Sequence, residues 1–269
     1  MNVDAYLRRI EYSGALEPSA QTLAALHLAH ATHIPFENLD ILLGKSIKLD
    51  LESLERKLID DRRGGYCFEQ NLLFSAVLEE LGFKVTRLIA RVRYRTTALL
   101  PRTHMTLLVE LADGRWIADV GFGADGLLLP VPFGEGAESR QFLWTYRAAA
   151  DGDRWVMQSF RDAGWLDLYA FTLDPQEPID YEPANWYTST HPNSRFVQTL
   201  TAQRLGTNAR FTLRNRELIT DRGDTVSSRT LDQSEIITVL AELFGLEFPA
   251  DTTFRFGGSG SLELVSKPT

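Results

Sequence analysis

The feature that most constrains this chain is a change of hydrophobic period at Gly82. Before that residue apolar side chains recur at helical spacing, and after it they alternate. In Ser19 to Thr32, Leu23, Leu26, Ala29 and His30 share the helical spacing, and Pro18 is placed to start the segment. A second helix is expected over Asp50 to Asp60, where Leu51, Leu54, Leu58 and Ile59 are apolar. A third is expected to begin near Cys67 and run through Leu72, Leu73, Val77, Leu78 and Leu81. Gly82 supplies its stop, because glycine accepts the left-handed conformation that commonly follows a helix.

Beyond Gly82, Phe83 to Tyr94 sets Thr86, Leu88, Ala90, Val92 and Tyr94 on one face, which reads as a strand. Thr103 to Leu111 and Arg115 to Val120 are two more strands, joined at Asp113-Gly114. That pair suits a tight turn whose two central residues take positive φ. Strand-like pieces follow at Arg140 to Ala148, Trp155 to Phe160 and Leu166 to Phe171, a spacing that suggests a barrel or sandwich. From Asn185 the texture mixes. Phe196 to Leu200 fits either period, Ala209 to Thr220 and Asp224 to Thr230 read as strands, and Ser234 to Phe244 reads as a helix stopped by Gly245. The Phe256-Gly-Gly-Ser-Gly stretch reads as a loop. The expected organisation is a helical part over 1–82, antiparallel strands over 83–184 and a smaller mixed part over 185–269.

Function classes are narrowed by charge and by what the chain lacks. A net charge of −8 argues against a nucleic-acid binder, which needs a basic face for phosphate. No apolar run approaches the roughly 20 residues needed to span a bilayer, so no membrane partner is expected. The N-terminus carries no apolar run with a small-residue cleavage site, and one cysteine cannot form an internal disulfide. Both fit a protein of the reducing cytoplasm.

That cysteine lies in Arg63-Gly-Gly-Tyr-Cys67-Phe-Glu-Gln-Asn71. The thiolate is the reactive form of a thiol, and a helix N-terminus or a neighbouring imidazolium favours it. Gly64 and Gly65 would allow a sharp turn and close approach by a substrate. A buried structural cysteine is the competing reading. A nucleophile needs a base, and the base needs an orienting group. His104 opens the strand that enters the Asp113-Gly114 turn, and Asp119 lies on the returning strand. With Ala112 opposite Arg115, Asp119 faces Leu108, on the same face as His104 but four residues along, roughly 13 Å in a flat ladder. Direct contact would need a bulge, strong twist or a different register.

Two further patterns invite a ligand. His27, His30 and His33 are spaced by three, but that spacing fans around a helix, so helix-surface histidines are expected in place of a metal site. Gly121-Phe-Gly-Ala-Asp-Gly126 matches the dinucleotide fingerprint in letters alone. It follows a hairpin and runs into Leu127-Leu-Leu-Pro-Val-Pro, where a helix cannot open.

Taken together, His33-Ile-Pro-Phe-Glu-Asn-Leu-Asp40, RGGYCFEQN, Thr103-His104, Asp119-Val-Gly-Phe-Gly123 and Asn185 to Phe196 resemble, in this order, the arylamine N-acetyltransferases. The likeness runs from Ala5-Tyr6 to the helix near Phe244. It implies an α+β fold with an N-terminal helical bundle, a central antiparallel β-barrel and a C-terminal α/β lid. It also implies a catalytic Cys67, His104 and Asp119 triad arranged as in papain-like and transglutaminase-like enzymes. The implied reaction is ping-pong transfer of acetyl from acetyl-CoA, through acetyl-Cys67, to arylamines, arylhydrazines and N-hydroxyarylamines. Phe36, Phe122 and Phe196 resemble acceptor-pocket positions, and Thr103 and Gly123 resemble positions near CoA. Arg63 and Glu37 read as a charge pair buttressing the triad. No metal and no tightly bound cofactor are expected, with acetyl-CoA as co-substrate, and a homo-oligomer stays open. Two other readings use the same residues: an amide-forming relative in natural-product biosynthesis, and a non-catalytic small-molecule binder that kept the fold.

Overall fold

The structure is a computed structural model that describes residues 1–255 apart from 124, 162 and 163. The loop expected at Phe256 onward therefore lies outside the described residues. Side-chain caps start the N-terminal helices: Asn2 accepts from the Ala5 amide to open α1 (Val3–Arg9), and Ser19 accepts from the Thr22 amide to open α2 (Ala20–His33). Strand β1 (Phe36–Glu37) and the short helices α3 (Leu39–Leu42) and α4 (Leu51–Glu55) follow. Helix α4 widens into a π-helical turn over Arg56–Asp60, so the single helix expected over Asp50 to Asp60 changes its winding halfway. Helix α5 (Cys67–Glu80) begins at the cysteine and buries most of its length.

Eight strands form one antiparallel sheet. They are β2 (Lys84–Val92), β3 (His104–Leu111), β4 (Gly114–Ala118), β5 (Val131–Pro132), β6 (Glu138–Gln141), β7 (Trp144–Asp151), β8 (Arg154–Arg161) and β9 (Gly164–Phe171). Their order is β5-β4-β3-β2-β9-β8-β7-β6, and the two ends meet where β5 lies against β6 and β7, giving an almost closed barrel. The segment expected as one strand over Arg140 to Ala148 turns at Phe142, whose φ of 56° splits it into β6 and β7.

Alternation in β3 sends its two faces into two cores. Met105, Leu107 and Val109 pack outward with Leu23 and Leu26 of α2 and with Leu73, Phe74, Val77 and Leu78 of α5. Leu108 points inward with Leu88, Ile117, Trp144, Tyr146 and Tyr169.

The β3–β4 turn differs from the expected one. Leu111 pairs with Gly114, so Ala112 and Asp113 form the two-residue turn and positive φ falls on Gly114 alone, at 141°. The turn sits one residue earlier than the expected Asp113-Gly114, and the pairing of every residue behind it moves accordingly.

The C-terminal part contains α6 (Glu182–Thr190) and α7 (Arg195–Gln198), then β10 (Thr201–Arg204), β11 (Arg210–Arg214), β12 (Glu217–Asp221) and β13 (Val226–Thr230), and α8 (Ile236–Phe244). The strand expected over Ala209 to Thr220 is a hairpin, turning at Asn215 with φ of 52°. The five-stranded antiparallel sheet runs β1-β10-β11-β12-β13, so the chain's first strand closes the sheet built by its last residues. Leu200, Leu213, Leu240 and Phe244 form a third core under this sheet. No helix among the described residues is long and apolar enough to cross a membrane.

Phe74 of α5 is fully buried and sets its ring against both His27 and His30, with centroids 5.8 and 5.3 Å away. Phe74→Ala is expected to cost about 3–5 kcal/mol, read as a shift of the urea midpoint at unchanged slope.

Candidate active site

The start of α5 is held by charge. Glu69 Oε2 accepts from the Tyr66 amide at 3.0 Å, and Lys57 Nζ lies 2.6 Å from Glu69 Oε1 and 3.0 Å from Asp40 Oδ2. Arg63 continues the chain, reaching Asp40 Oδ1 at 3.1 Å and Glu37 Oε1 at 2.6 Å, so Arg63 and Glu37 do meet. Glu37 in turn accepts from the Leu39 amide through Oε2 at 2.6 Å. Burial alone would raise the Asp40 carboxyl, but Lys57 and Arg63 outweigh it and hold it below its ordinary value. Gly64 and Gly65 serve this packing. An added Cβ at Gly64 would collide with the Pro35 carbonyl, and one at Gly65 would lie 2.7 Å from Glu69 Oε2. It is the chain, and not a substrate, that approaches these glycines.

Cys67, His104 and Asp119 come together in one line. Cys67 is 3% exposed, its thiol donates to the Thr103 carbonyl at 3.5 Å, and its charge interaction favours the His104 imidazolium. His104 Nε2 lies 2.7 Å from Asp119 Oδ2, so Nδ1 is the ring nitrogen that Asp119 does not engage. The observed register supplies the closeness that the expected one lacked. Leu107 pairs with Ala118, and continuing that register sets Asp119 opposite Thr106, two residues from His104 and not four. That diagonal is roughly 7–8 Å between backbones, within reach of two side chains on one face. Burial opposes protonation of His104, but the Asp119 charge and hydrogen bond, reinforced by Cys67, overcome it and raise the imidazole to about 10. Burial alone would raise Asp119; the His104 charge, with hydrogen bonds from His104, Asn71 and the Gly121 amide, holds it below its ordinary value.

Several partners in this site were not anticipated. Asn71 donates to Asp119 Oδ1 at 2.9 Å and to the Met105 carbonyl at 2.8 Å, and accepts from the Val120 amide at 3.1 Å. Its signal was its place four residues after Cys67, on the same helical face. His27 and His30 are not surface histidines, because both are fully buried. They extend the apolar stripe of α2, four residues after Leu23 and Leu26, which is why they face the core. His27 Nε2 accepts from the Asp119 amide at 3.1 Å while Nδ1 donates to the Leu128 carbonyl at 3.0 Å. His30 Nδ1 accepts from Tyr6 Oη at 2.8 Å, and Nε2 donates to Gln70 Oε1 at 3.1 Å. These bonds occupy all four ring nitrogens, and among the described residues no metal-binding cluster assembles. Burial depresses His27 to about 4 and His30 to about 3.

The aromatic positions border the same line. Phe122 packs edge-on to His104 with centroids 5.2 Å apart, and Tyr169 lies 4.6 Å from His104. Phe196 stacks on Tyr66 and touches Phe36, each at 5.8 Å. A Cβ at Gly123 would sit 3.5 Å from the Phe36 ring, which ties the two walls together. Gly121, just after β4, lies tight against α5, since a Cβ there would lie 2.7 Å from the Cys67 Cα. No helix follows this glycine loop; the next regular element is β5.

Known proteins resemble this chain over most of its length. The profile of the N-acetyltransferase family matches residues 19–253. The arylamine N-acetyltransferase of Escherichia coli is 42% identical over 245 residues, covering 90% of this chain and 87% of the relative. That of Mycolicibacterium smegmatis is 41% identical over 254 residues, covering 92% of each. Among solved structures, the Mycobacterium marinum arylamine N-acetyltransferase in complex with CoA superposes with a TM-score of 0.87 at 35% identity, over 91% of this chain and 93% of that one.

The histidines set opposite limbs of a pH–stability profile. His27 and His30, depressed to about 4 and 3, stay neutral in the folded protein after they protonate in the unfolded one, near an ordinary histidine value of about 6.5. Their contribution is complete above that value and is lost as pH falls, with close to two extra protons taken up on unfolding. His104 has the reverse sign: its contribution is complete below about 6.5 and is lost as pH rises toward about 10. Urea midpoints measured from pH 4 to 10 should fall at both ends. His27→Asn should flatten the acid limb by about half, and His104→Asn should flatten the alkaline limb alone.

Proposed function

This chain belongs to the arylamine N-acetyltransferase family and is an acyltransferase, and from that premise we propose that it moves acetyl from acetyl-CoA to aromatic amines and hydrazines through acetyl-Cys67. The observation that carries the reading is the buried convergence of Cys67, His104 and Asp119, with His104 Nε2 2.7 Å from Asp119 Oδ2 and the imidazolium favoured by both Asp119 and Cys67. His104, raised to about 10, already holds the proton on Nδ1 as Sγ attacks the thioester carbonyl in its thiolate form. The carbon–sulfur bond to CoA then breaks, and the departing thiolate receives that proton. The amine nitrogen next attacks acetyl-Cys67, His104 accepts its proton, and the cysteine is released for another cycle. Asp119 holds the ring orientation and compensates the imidazolium charge.

The amides in the first turn of α5 have no partner within the helix and are suited to stabilise the oxyanion of each step. Near-complete burial of Cys67 keeps bulk water from the thioester intermediate. Phe36, Phe122 and Phe196 offer ring faces and edges for a flat aromatic acceptor, with Phe122 in contact with His104 itself. N-hydroxyarylamines would fit the same walls. Thr103 and Gly123 border the approach of CoA. The lone free cysteine and a CoA thioester donor both fit the reducing cytoplasm.

Intact-mass measurement after mixing the protein with acetyl-CoA, and no acceptor, tests this directly. One acetyl group is expected on Cys67, absent in Cys67→Ala and discharged by an added arylamine. An unmodified thiol in the presence of acetyl-CoA would overturn the proposed mechanism. An acetyl group that amines cannot remove would overturn the acceptor class.

A further inference from the structure

In a chain of net charge −8, several arginines on the barrel have a carboxylate beside them. Arg93 reaches Asp151 and Asp167, and Arg161 reaches Asp125 and Asp221. Among the described residues Arg91 and Arg102 have none, and Arg154 has only the exposed Asp153; these three arginines stand together. They line one shallow cleft with Ala170, Phe171 and Thr172. Ala90 and Phe171 point into the barrel core, so Arg91 and its cross-strand partner Ala170 face outward. Trp155 pairs with Phe171, which brings Arg154 level with Thr172 on that outer side.

No carboxylate is among the residues that line this cleft. Arg91 Nη1 donates to the Leu100 carbonyl, and Arg154 Nε approaches only the exposed Asp153, at 3.5 Å. Among the described residues no ion pair joins Arg91 or Arg102 to a carboxylate. Asp174, near the rim, is engaged by the Thr172 hydroxyl at 2.8 Å. Burial, then the charges of Arg102, Arg154 and Arg93, depress the Arg91 guanidinium below its ordinary value. Like charges gathered without a counter-charge repel one another, and a multiply charged anion relieves that repulsion.

The cleft also has a fixed relation to the nucleophile. Ala90 lies opposite His104, so Arg91 stands beside Thr103, whose carbonyl accepts the Cys67 thiol. Arg102 is the residue just before Thr103. We infer that the Arg91, Arg102 and Arg154 cleft binds the phosphate groups of the acyl donor, so that charge remote from the reacting carbonyl anchors the thioester over Cys67. The inference rests on acetyl-CoA being that donor. Guanidinium groups suit the task because their planar donor pairs match phosphate oxygens two at a time.

Two donors with the same reacting group separate this from a general effect on the enzyme. Acetyl-CoA carries the phosphates and S-acetyl-N-acetylcysteamine carries none. With one arylamine acceptor, kcat/KM is measured for each donor in the wild type and in an Arg102→Gln, Arg154→Gln double variant, whose two sites are solvent-exposed. The ratio of acetyl-CoA to short-donor kcat/KM is expected to fall by about tenfold or more in the variant, carried by KM for acetyl-CoA. The wild-type ratio should also fall with added salt more steeply than that of the variant. An unchanged ratio, including the case where both donors suffer equally, would overturn the inference while leaving the acetyltransferase reading intact. A wild-type protein that accepts neither donor would remove that reading and this inference with it.

Discussion

A carboxylate with no solvent exposure must collect its partners from the protein around it, and Asp119 is such a group. It draws on four separate pieces of chain: His104 in β3, Asn71 in α5, the Gly121 amide in the next loop and, through its own amide, His27 in α2. Breaking a buried pair of this kind from one side costs about 3–5 kcal/mol, because the remaining charge is left without compensation. Each partner is therefore held in place by the penalty for leaving. The same bonds that satisfy the carboxylate bring the cysteine helix, the histidine strand and α2 to one point.

A second set of buried charges does for the nucleophile what Asp119 does for the histidine. Glu37, Asp40 and Glu69 are shared between Lys57 and Arg63. Through Glu69 they reach the Tyr66 amide, one residue before the thiol. Glu37 belongs to β1, which is also the edge strand of the C-terminal sheet. The position of Cys67 is thus coupled to the last third of the chain, and Phe36 and Phe196, on either side of that junction, are in ring contact. The site stands between two apolar cores: α5 packs into one, and His104 contacts Phe122 and Tyr169 of the other. Rigid packing on both sides leaves the line of three side chains little freedom to drift.

Much of this was legible in the residues. The change of period at Gly82 announced helices followed by antiparallel strands, because period follows directly from which side chains face a core. Motifs in order pointed to the family and to Cys67, His104 and Asp119 as the residues to bring together. What stayed hidden was set by tertiary partners. His27 and His30 looked like surface groups because an imidazole is polar, yet each finds a donor and an acceptor inside and remains neutral there. Asn71 was one letter of a quoted motif, and its three bonds reach segments more than 30 residues away. Stretches read as single strands concealed hairpins at Phe142 and Asn215, where a non-glycine residue takes positive φ without a sequence signal as strong as Asn-Gly.

The β3–β4 turn shows how far from the site its geometry is decided. Ala112 and Asp113 lie eight and nine residues beyond His104, about 26 Å or more along the strand. Their placement sets every pair between the two strands, including the pairing that brings Asp119 opposite Thr106. With Asp113 and Gly114 as the turn, Asp119 would face Leu108 and its carboxylate would lie out of reach of the imidazole. A slip of one residue would be worse, since it would send Asp119 to the opposite face and exchange the two cores that flank β3. The buried side chains on both faces of that strand forbid such a slip, with Met105, Leu107 and Val109 fitting the helices while Thr106 and Leu108 fit the barrel. Hydrophobic alternation that looks like simple core packing is therefore what delivers the acid to the base.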